Sequence, residues 1–264
     1  MTYKKQRNKT VLITGPTNGI GYELTKRFAK DGFNLILVSR NKPKLEELAN
    51  LLTNQFNNKV LVISEDLSQA NSAKSIFEQV SKSQMEVDIL VNNAGVALYG
   101  EYRKIDLKTE LSMIQLNIVT LTELVKYFLP NMLQKNEGQI INIASTAAFQ
   151  PVPMMSIYAA SKAYVLSFSE ALSEELKQTG IYVTAVCPGP TNTGIIDASG
   201  GSNSKLFQGK IMTPNKVAEL AYKAVNKKKT VVVTGMKNKI LSEGVRLIPR
   251  SIVRKISKKF LEEK

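Results

Sequence analysis

The sequence has no histidine and a single cysteine, Cys187. Without histidine the commonest general base and metal ligand is missing, and every Ser-His-Asp mechanism is excluded with it. One cysteine rules out an intrachain disulfide and a cysteine-based zinc site, and it fits a reducing, cytoplasmic setting. No run approaches the roughly 18 continuous apolar residues of a spanning helix. The basic N-terminus (Lys4, Lys5, Arg7, Lys9) leads only into Val11-Leu12-Ile13 before Thr14-Gly15-Pro16, too short an apolar stretch for a signal peptide. Chemistry in such a chain must run on Tyr, Lys, Ser, Asn or carboxylates.

What is present is ordinary in amount and uneven in placement. A chain of 264 residues, 43% hydrophobic and 22% charged, can bury the core of one large α/β domain or two small ones. The net charge of +14 is concentrated at the ends: residues 1–10 carry four positive charges and no negative one. Residues 237–264 carry nine Lys/Arg against Glu243, Glu262 and Glu263, which leaves only +4 for residues 11–236. A nucleic-acid binder would show a basic face within its fold, so that role is set aside. Anionic lipid or an acyl-carrier partner suits the tail better.

Seven short apolar, β-branched runs recur: Thr10–Thr14, Asn34–Ser39, Val60–Ser64, Val87–Val91, Gln139–Ala144, Tyr182–Cys187 and Thr230–Thr234. Each has the length of a buried strand and alternates only weakly, as expected when helices cover both faces of a sheet. Between them, Ile20–Asp31, Pro43–Phe56, Gln69–Ser83, about Asp106–Gln134, Ser156–Gln178 and Pro214–Asn226 carry helical apolar spacing. The expected fold class is α/β: a doubly wound parallel sheet of about seven strands with right-handed crossovers. Residues 1–235 form the expected domain and 236–264 a basic, helical extension.

The first strand runs into Thr14-Gly15-Pro16-Thr17-Asn18-Gly19-Ile20-Gly21 and then a helix. Glycines at a strand–helix turn let backbone approach a pyrophosphate, and the helix start offers it free N–H groups. Gly15, Thr17, Asn18, Gly19, Ile20 and Gly21 are therefore candidate cofactor residues. The spacing is G-x-x-x-G-x-G, and the flanking strand and helix give it weight that the glycines alone lack. The second strand ends at Ser39-Arg40 with no acid, which suits the 2′-phosphate of NADP over the free ribose of NAD; otherwise Arg40 is a solvated loop residue. Asp66, followed by Leu67, reads either as an adenine contact or as a helix cap.

Tyr158 and Lys162 form Y-x-x-x-K on a helix and share one face. A free tyrosine with a pKa of about 10 is a weak acid–base catalyst, and a neighbouring ammonium stabilises the phenolate. Ser145 closes the fifth strand, at the edge where α/β proteins bind ligands, and Asn92-Asn93-Ala94-Gly95 follow the fourth. Asn117 interrupts a helix that is otherwise apolar on that face (Ile114, Leu121), which implies either a local backbone break or a buried water network.

Together these residues resemble the short-chain dehydrogenase/reductase family over about residues 8–235, resting on Thr14–Gly21, Asn92–Gly95, Asn117, Ser145, Tyr158 with Lys162, and Pro188-Gly189. The resemblance, which extends to 3-oxoacyl and 17-beta-hydroxysteroid-type reductases, implies a single-domain Rossmann fold and a catalytic tetrad. Tyr158 would be the acid or base, and Lys162 would lower its pKa and bind the nicotinamide ribose. Ser145 would orient the substrate carbonyl, and Asn117 would hold a water linking Lys162 to solvent. Asn92, Asn93, Ala94 and Gly95 would contact NADP, and Pro188, Gly189 and Thr191 or Thr193 would meet the nicotinamide. Pro16 and Thr17 depart mildly from the family's small turn residues, and the chain runs on for about thirty residues past the seventh strand.

Substrate choice is expected in Ala147–Met155, whose Phe149, Val152, Met154 and Met155 suit either an apolar substrate or internal packing, and in Gly194–Met212, which reads as a lid. Ser251–Leu261 is a basic amphipathic helix that suits either an anionic membrane surface or docking on protein. The resemblance implies a homodimer or homotetramer. The expected activity is NADP(H)-dependent hydride transfer on a small-molecule carbonyl or alcohol. The alternatives are a membrane-surface lipid or acyl-thioester reductase and a non-catalytic NADP(H) sensor.

Overall fold

The computed structural model describes residues 9–194 and 211–261. The expected lid, apart from its ends, and the N-terminal Lys4, Lys5 and Arg7 lie outside the described residues.

Seven strands form one parallel sheet in the order β3-β2-β1-β4-β5-β6-β7. They are β1 Thr10–Thr14, β2 Asn34–Ser39, β3 Val60–Ser64, β4 Ile89–Asn92, β5 Gly138–Ile143, β6 Ile181–Cys187 and β7 Val231–Val233. The helices are α1 Gly19–Lys30, α2 Lys42–Phe56, α3 Ser72–Lys82, α4 Leu107–Ile114, α5 Leu121–Lys135, α6 Ser156–Glu175, α7 Pro214–Val225, α8 Met236–Gly244 and α9 Arg250–Leu261. This is the expected doubly wound α/β architecture.

Alternate residues of each strand feed opposite cores. Val11, Ile13, Leu35, Leu37, Ile89 and Val91 pack with Leu24 and Phe28 of α1, Leu45, Leu48 and Leu52 of α2, and Ala218 and Ala221 of α7. Leu12, Ile36, Val38, Leu90 and Ile140 face the other way, onto Ile76 and Val80 of α3, Leu124, Phe128 and Met132 of α5, and Leu172 of α6. With both faces covered, the strands have no solvated side, which is why their sequence alternates so weakly. β1 pairs with both β2 and β4, so the strand order reverses there. The crevice at the carboxyl ends of the strands opens at this reversal.

The long helix expected over about Asp106–Gln134 is interrupted. α4 and α5 are joined by a π-helical turn, Gln115–Thr120, that contains Asn117. Of the two expectations for Asn117, the backbone break is what the structure contains. The extension holds two helices, α8 and α9, joined by a short 3₁₀ turn at Val245–Leu247.

Candidate active site

The glycine turn is latched from across the sheet. Gly15 has φ +65°, a conformation that costs a residue with a Cβ strain. A Cβ on Gly21 would stand 2.2 Å from the Gly15 carbonyl oxygen, so the helix can approach the strand only with hydrogen there. The Thr14 hydroxyl accepts from the N–H groups of Asn93 (3.0 Å) and Ala94 (2.9 Å). The Asn93 amide donates to the carbonyls of Thr14 and Gly15, both at 2.9 Å. Asn18 begins α1 with extended backbone and no side-chain cap, so the first N–H groups of α1 are not capped by it. A backbone cradle that side chains cannot enter, at an uncapped helix start, fits a dinucleotide pyrophosphate.

The two asparagines at the end of β4, Asn92 within it and Asn93 just past it, act as architecture. Asn92 is buried, with its amide donating to Asn142 Oδ1 at 2.9 Å. Its own Oδ1 is buried with no hydrogen-bond partner among the described residues. Asn93 shapes the turn through both amide hydrogens, which leaves the backbone of Ala94 and Gly95 facing the crevice as candidates.

At the end of β2, Ser39 Oγ is buried with no hydrogen-bond partner among the described residues, beside the exposed Arg40. An orphaned hydroxyl next to an exposed guanidinium suits a phosphate oxygen. Asp66 accepts from the Ser68 N–H (3.1 Å) and hydroxyl (2.8 Å). Partial burial pushes its carboxyl up, and the Ser68 bonds and Arg40 charge outweigh this and hold it below its ordinary value. It does not cap α3, whose preceding residue is Asn71. Leu67 is buried, and its carbonyl accepts from Thr120 Oγ1 at 2.8 Å.

Two residues of the expected tetrad, Asn117 and Lys162, meet at Gly95. A Cβ on Gly95 would lie 3.3 Å from both Asn117 Oδ1 and Lys162 Nζ. Asn117 grips the backbone of Val96, accepting from its N–H at 3.1 Å and donating to its carbonyl at 3.0 Å, and it also donates to Ser161 Oγ at 3.1 Å. With the side chain so engaged, it positions the 95–96 turn. Lys162 Nζ donates to the Ile143 carbonyl at 2.8 Å and sits 5.8 Å from the Tyr158 ring centroid. Ser145 Oγ accepts from Ala147 N at 3.1 Å.

Burial dominates the electrostatics here. It pushes the Tyr158 phenol above its ordinary value, opposed by a hydrogen bond from Ser145. It brings the Lys162 ammonium down to about 8, opposed by Cys187. Desolvation disfavours the phenolate, and the Lys162 ammonium is directed at the Ile143 carbonyl. Cys187, also buried, is pushed up to about 12 and is an inert thiol.

Past β6, Pro188 O accepts from Thr146 N at 2.8 Å, which ties this turn to the one after Ser145. The two candidate threonines separate. Thr191 is buried and donates to the Gly189 carbonyl at 2.8 Å, whereas the Thr193 methyl lies 3.1 Å from where a Cβ on Gly19 would stand. Thr193 therefore faces the glycine turn across the crevice. Asn238 of α8, which sequence reasoning passed over, donates to Thr234 O at 2.8 Å and packs over Gly189.

The apolar segment 147–155 divides. Val152 and Met155 join Ala97 and Ala159 in a small core against which Tyr158 packs, and Phe149 packs near Val165 and Cys187. Met154, held at φ +66°, lines a shallow hollow of mixed polarity with Leu98, Tyr102, Glu110, Met113, Ser156 and Ile157.

The short chain dehydrogenase family profile matches residues 9–202. A ketoacyl reductase, HetN, of Nostoc sp. is 32% identical, over 85% of this chain and 78% of that protein. A very-long-chain 3-oxoacyl-CoA reductase of Anas platyrhynchos is 37% identical over 67% of this chain, which spans 58% of that enzyme's length. A short-chain dehydrogenase from Sphingobium yanoikuyae, solved in complex with NADPH, superposes with a TM-score of 0.83 at 32% identity, covering 90% of this chain and 92% of that one.

Proposed function

This chain belongs to the short-chain dehydrogenase/reductase family, a family of oxidoreductases, and from that premise we propose that it is an NADP(H)-dependent reductase of an apolar carbonyl compound. The observation that carries the reading is the chain of contacts linking the four: Asn117 and Lys162 meet at Gly95, Lys162 Nζ lies 5.8 Å from the Tyr158 ring centroid, and Ser145 hydrogen-bonds the Tyr158 phenol. The 3-oxoacyl reductases among its relatives support an acyl or similarly apolar substrate.

The nucleotide would be held by the backbone of residues 15–21, by Ser39 and Arg40 at a 2′-phosphate, by Asp66 and Leu67 near the base, by residues 94–95, and by Pro188, Gly189 and Thr193. Bound there, it supplies the hydride. The chain's own residues handle the proton and the orientation. Ser145 donates toward the substrate oxygen and holds it near Tyr158. Tyr158, kept protonated by burial at neutral pH, gives its proton to that oxygen as negative charge develops. Lys162 keeps a positive charge close to the phenol, and Asn117 fixes the backbone around both. The catalytic domain is assigned to residues 1–235, with 236–264 as an extension whose first helix supports the 188–193 turn. We place the protein in the cytoplasm as a homodimer or homotetramer; the exposed Leu107, Leu111, Val119 and Tyr164 support self-association.

The test is NADPH oxidation against 3-oxoacyl thioesters, apolar ketones and steroids, with Tyr158→Phe alongside. Turnover that falls about 100-fold or more in the variant, with NADPH affinity kept, is the expected result. Full activity in the variant would remove Tyr158 from the chemistry, and NADPH binding without turnover on any substrate would favour a sensor.

A further inference from the structure

The extension leaves an apolar surface that the proposed reaction does not use. Along α8, Asn238 and Ser242 face the body of the protein, and the opposite side carries Met236 and Ile240, which are 73% and 63% exposed. Leu247, in the turn between the helices, is 89% exposed, and Ile248 follows it. On α9, Val253 and Ser257 are buried one turn apart, and the adjoining stripe, Ile252 and Ile256, is about half exposed. A helix docked on its own core would turn its aliphatic residues inward. Here the small or polar positions are buried and the larger aliphatic ones face out, the reverse of what core packing requires.

Charge selects the occupant of this surface. Residues 236–259 carry Lys237, Lys239, Arg246, Arg250, Arg254, Lys255, Lys258 and Lys259 against Glu243 alone, and Glu243 lies 3.8 Å from Lys239. A second copy docking through the same face would bring two strongly positive patches together, which is unfavourable. Exposed aliphatic side chains interleaved with lysine and arginine suit instead the boundary of an anionic bilayer, where the apolar groups enter the acyl region and the cations meet lipid phosphates. Among the described residues no helix is long and apolar enough to cross a membrane, so any contact through these helices is peripheral.

We infer that the surface formed by α8, the 245–248 turn and α9 binds anionic lipid membranes. Through Asn238 on Gly189, and through Gly235, where a Cβ would lie 3.3 Å from Met212 Sδ, α8 adjoins the 188–193 turn and the end of the segment expected to close the crevice. Lipid binding at α8 therefore sets the cleft beside the bilayer. Given the proposed reduction, this is how an apolar carbonyl substrate would reach Tyr158 without crossing water.

The experiment is flotation of the full-length protein with vesicles of phosphatidylcholine alone and of phosphatidylcholine mixed with phosphatidylglycerol. It is read without cofactor, so that it stands or falls independently of the reaction. Two variants accompany it: Met236→Ser/Ile240→Ser/Leu247→Ser, and Arg254→Glu/Lys255→Glu/Lys258→Glu. All six positions are exposed, and NADPH affinity and thermal unfolding confirm that each variant is folded. The expected result is flotation with the anionic vesicles only, reduced at least about tenfold in both variants. No flotation of the wild-type protein overturns the inference. So does unchanged flotation of the serine variant, which would indicate non-specific electrostatic adsorption. Loss of a dimer in the serine variant, by sedimentation and with no vesicle binding, would assign the surface to a second copy.

Discussion

Lys162 is buried at 6% exposure with its ammonium brought down from an ordinary 10.5 to about 8. At neutral pH the folded chain therefore carries a charge it would shed more readily than the unfolded chain. The difference of about 2.5 units corresponds to a cost of about 3 kcal/mol below pH 8. Replacement by methionine removes that cost and leaves the Ile143 carbonyl without its donor, a loss of about 1 kcal/mol. Lys162→Met is expected to raise the melting temperature by about 5 °C at pH 6.5 while abolishing turnover. Because the folded lysine is already neutral above its lowered pKa, the gain should shrink from pH 8 upward and vanish near the unfolded value. Thermal unfolding across that range measures it, and a gain independent of pH would mean that packing, not charge, is responsible. Arg40 tests a second residue. Arg40→Ala should weaken NADPH binding about 10- to 100-fold, the worth of a charged hydrogen bond to phosphate. NADH binding should change little. Equal losses in a fluorescence titration would defeat the assignment to NADP.

Elements were easier to read than their partners. Five-residue β-branched runs and 3.6-period stripes place all seven strands and the main helices within a few residues, because burial on both sheet faces leaves a direct imprint on composition. β4 is displaced to Ile89–Asn92 from the expected Val87–Val91, since Val87 looks apolar whether it lies in the ladder or just before it. Ser145, Tyr158 and Lys162 were legible because strand end and helix spacing are local. The latches were not. Thr14 meets Asn93 and Ala94 across about 80 positions, and nothing in the Thr14 neighbourhood announces those partners. Asn238 lies in a segment whose helical pattern is faint, and only its packing on Gly189 shows its place. The burial that raises Tyr158 likewise depends on the whole fold. The latch carries its own prediction. Thr14→Val keeps the shape and removes the acceptor for two N–H groups, so stability should fall by about 2 kcal/mol. NADPH affinity should fall with it as the 15–21 turn loosens. A stability loss with unchanged affinity in paired unfolding and titration experiments would show that the turn holds without the latch.

At the scale of the whole molecule, the boundary drawn at residue 235 divides neither composition nor packing sharply. Lys227, Lys228 and Lys229 already precede it, and α8 is fastened to the body by Asn238 on Thr234 O and by its contact with Gly189, with Ser242 buried behind it. α9 contributes Val253 and Ser257 to the interior. Two truncations separate these contributions. A chain ending at Pro249 uncovers what Val253 shields, a loss of about 1–2 kcal/mol by burial of one valine, and leaves the 188–193 turn supported. A chain ending at Gly235 also uncovers Gly189 and frees the turn that carries Thr193 opposite Gly19. The first should bind NADPH as the full chain does, with a modest drop in melting temperature; the second should bind it several-fold more weakly. If both truncations bind equally well, α8 is outside the working unit and residue 235 is a true domain boundary. If the shorter chain alone loses affinity, the extension has two parts: α8, which shapes the crevice, and α9, which is free to serve a surface beyond it.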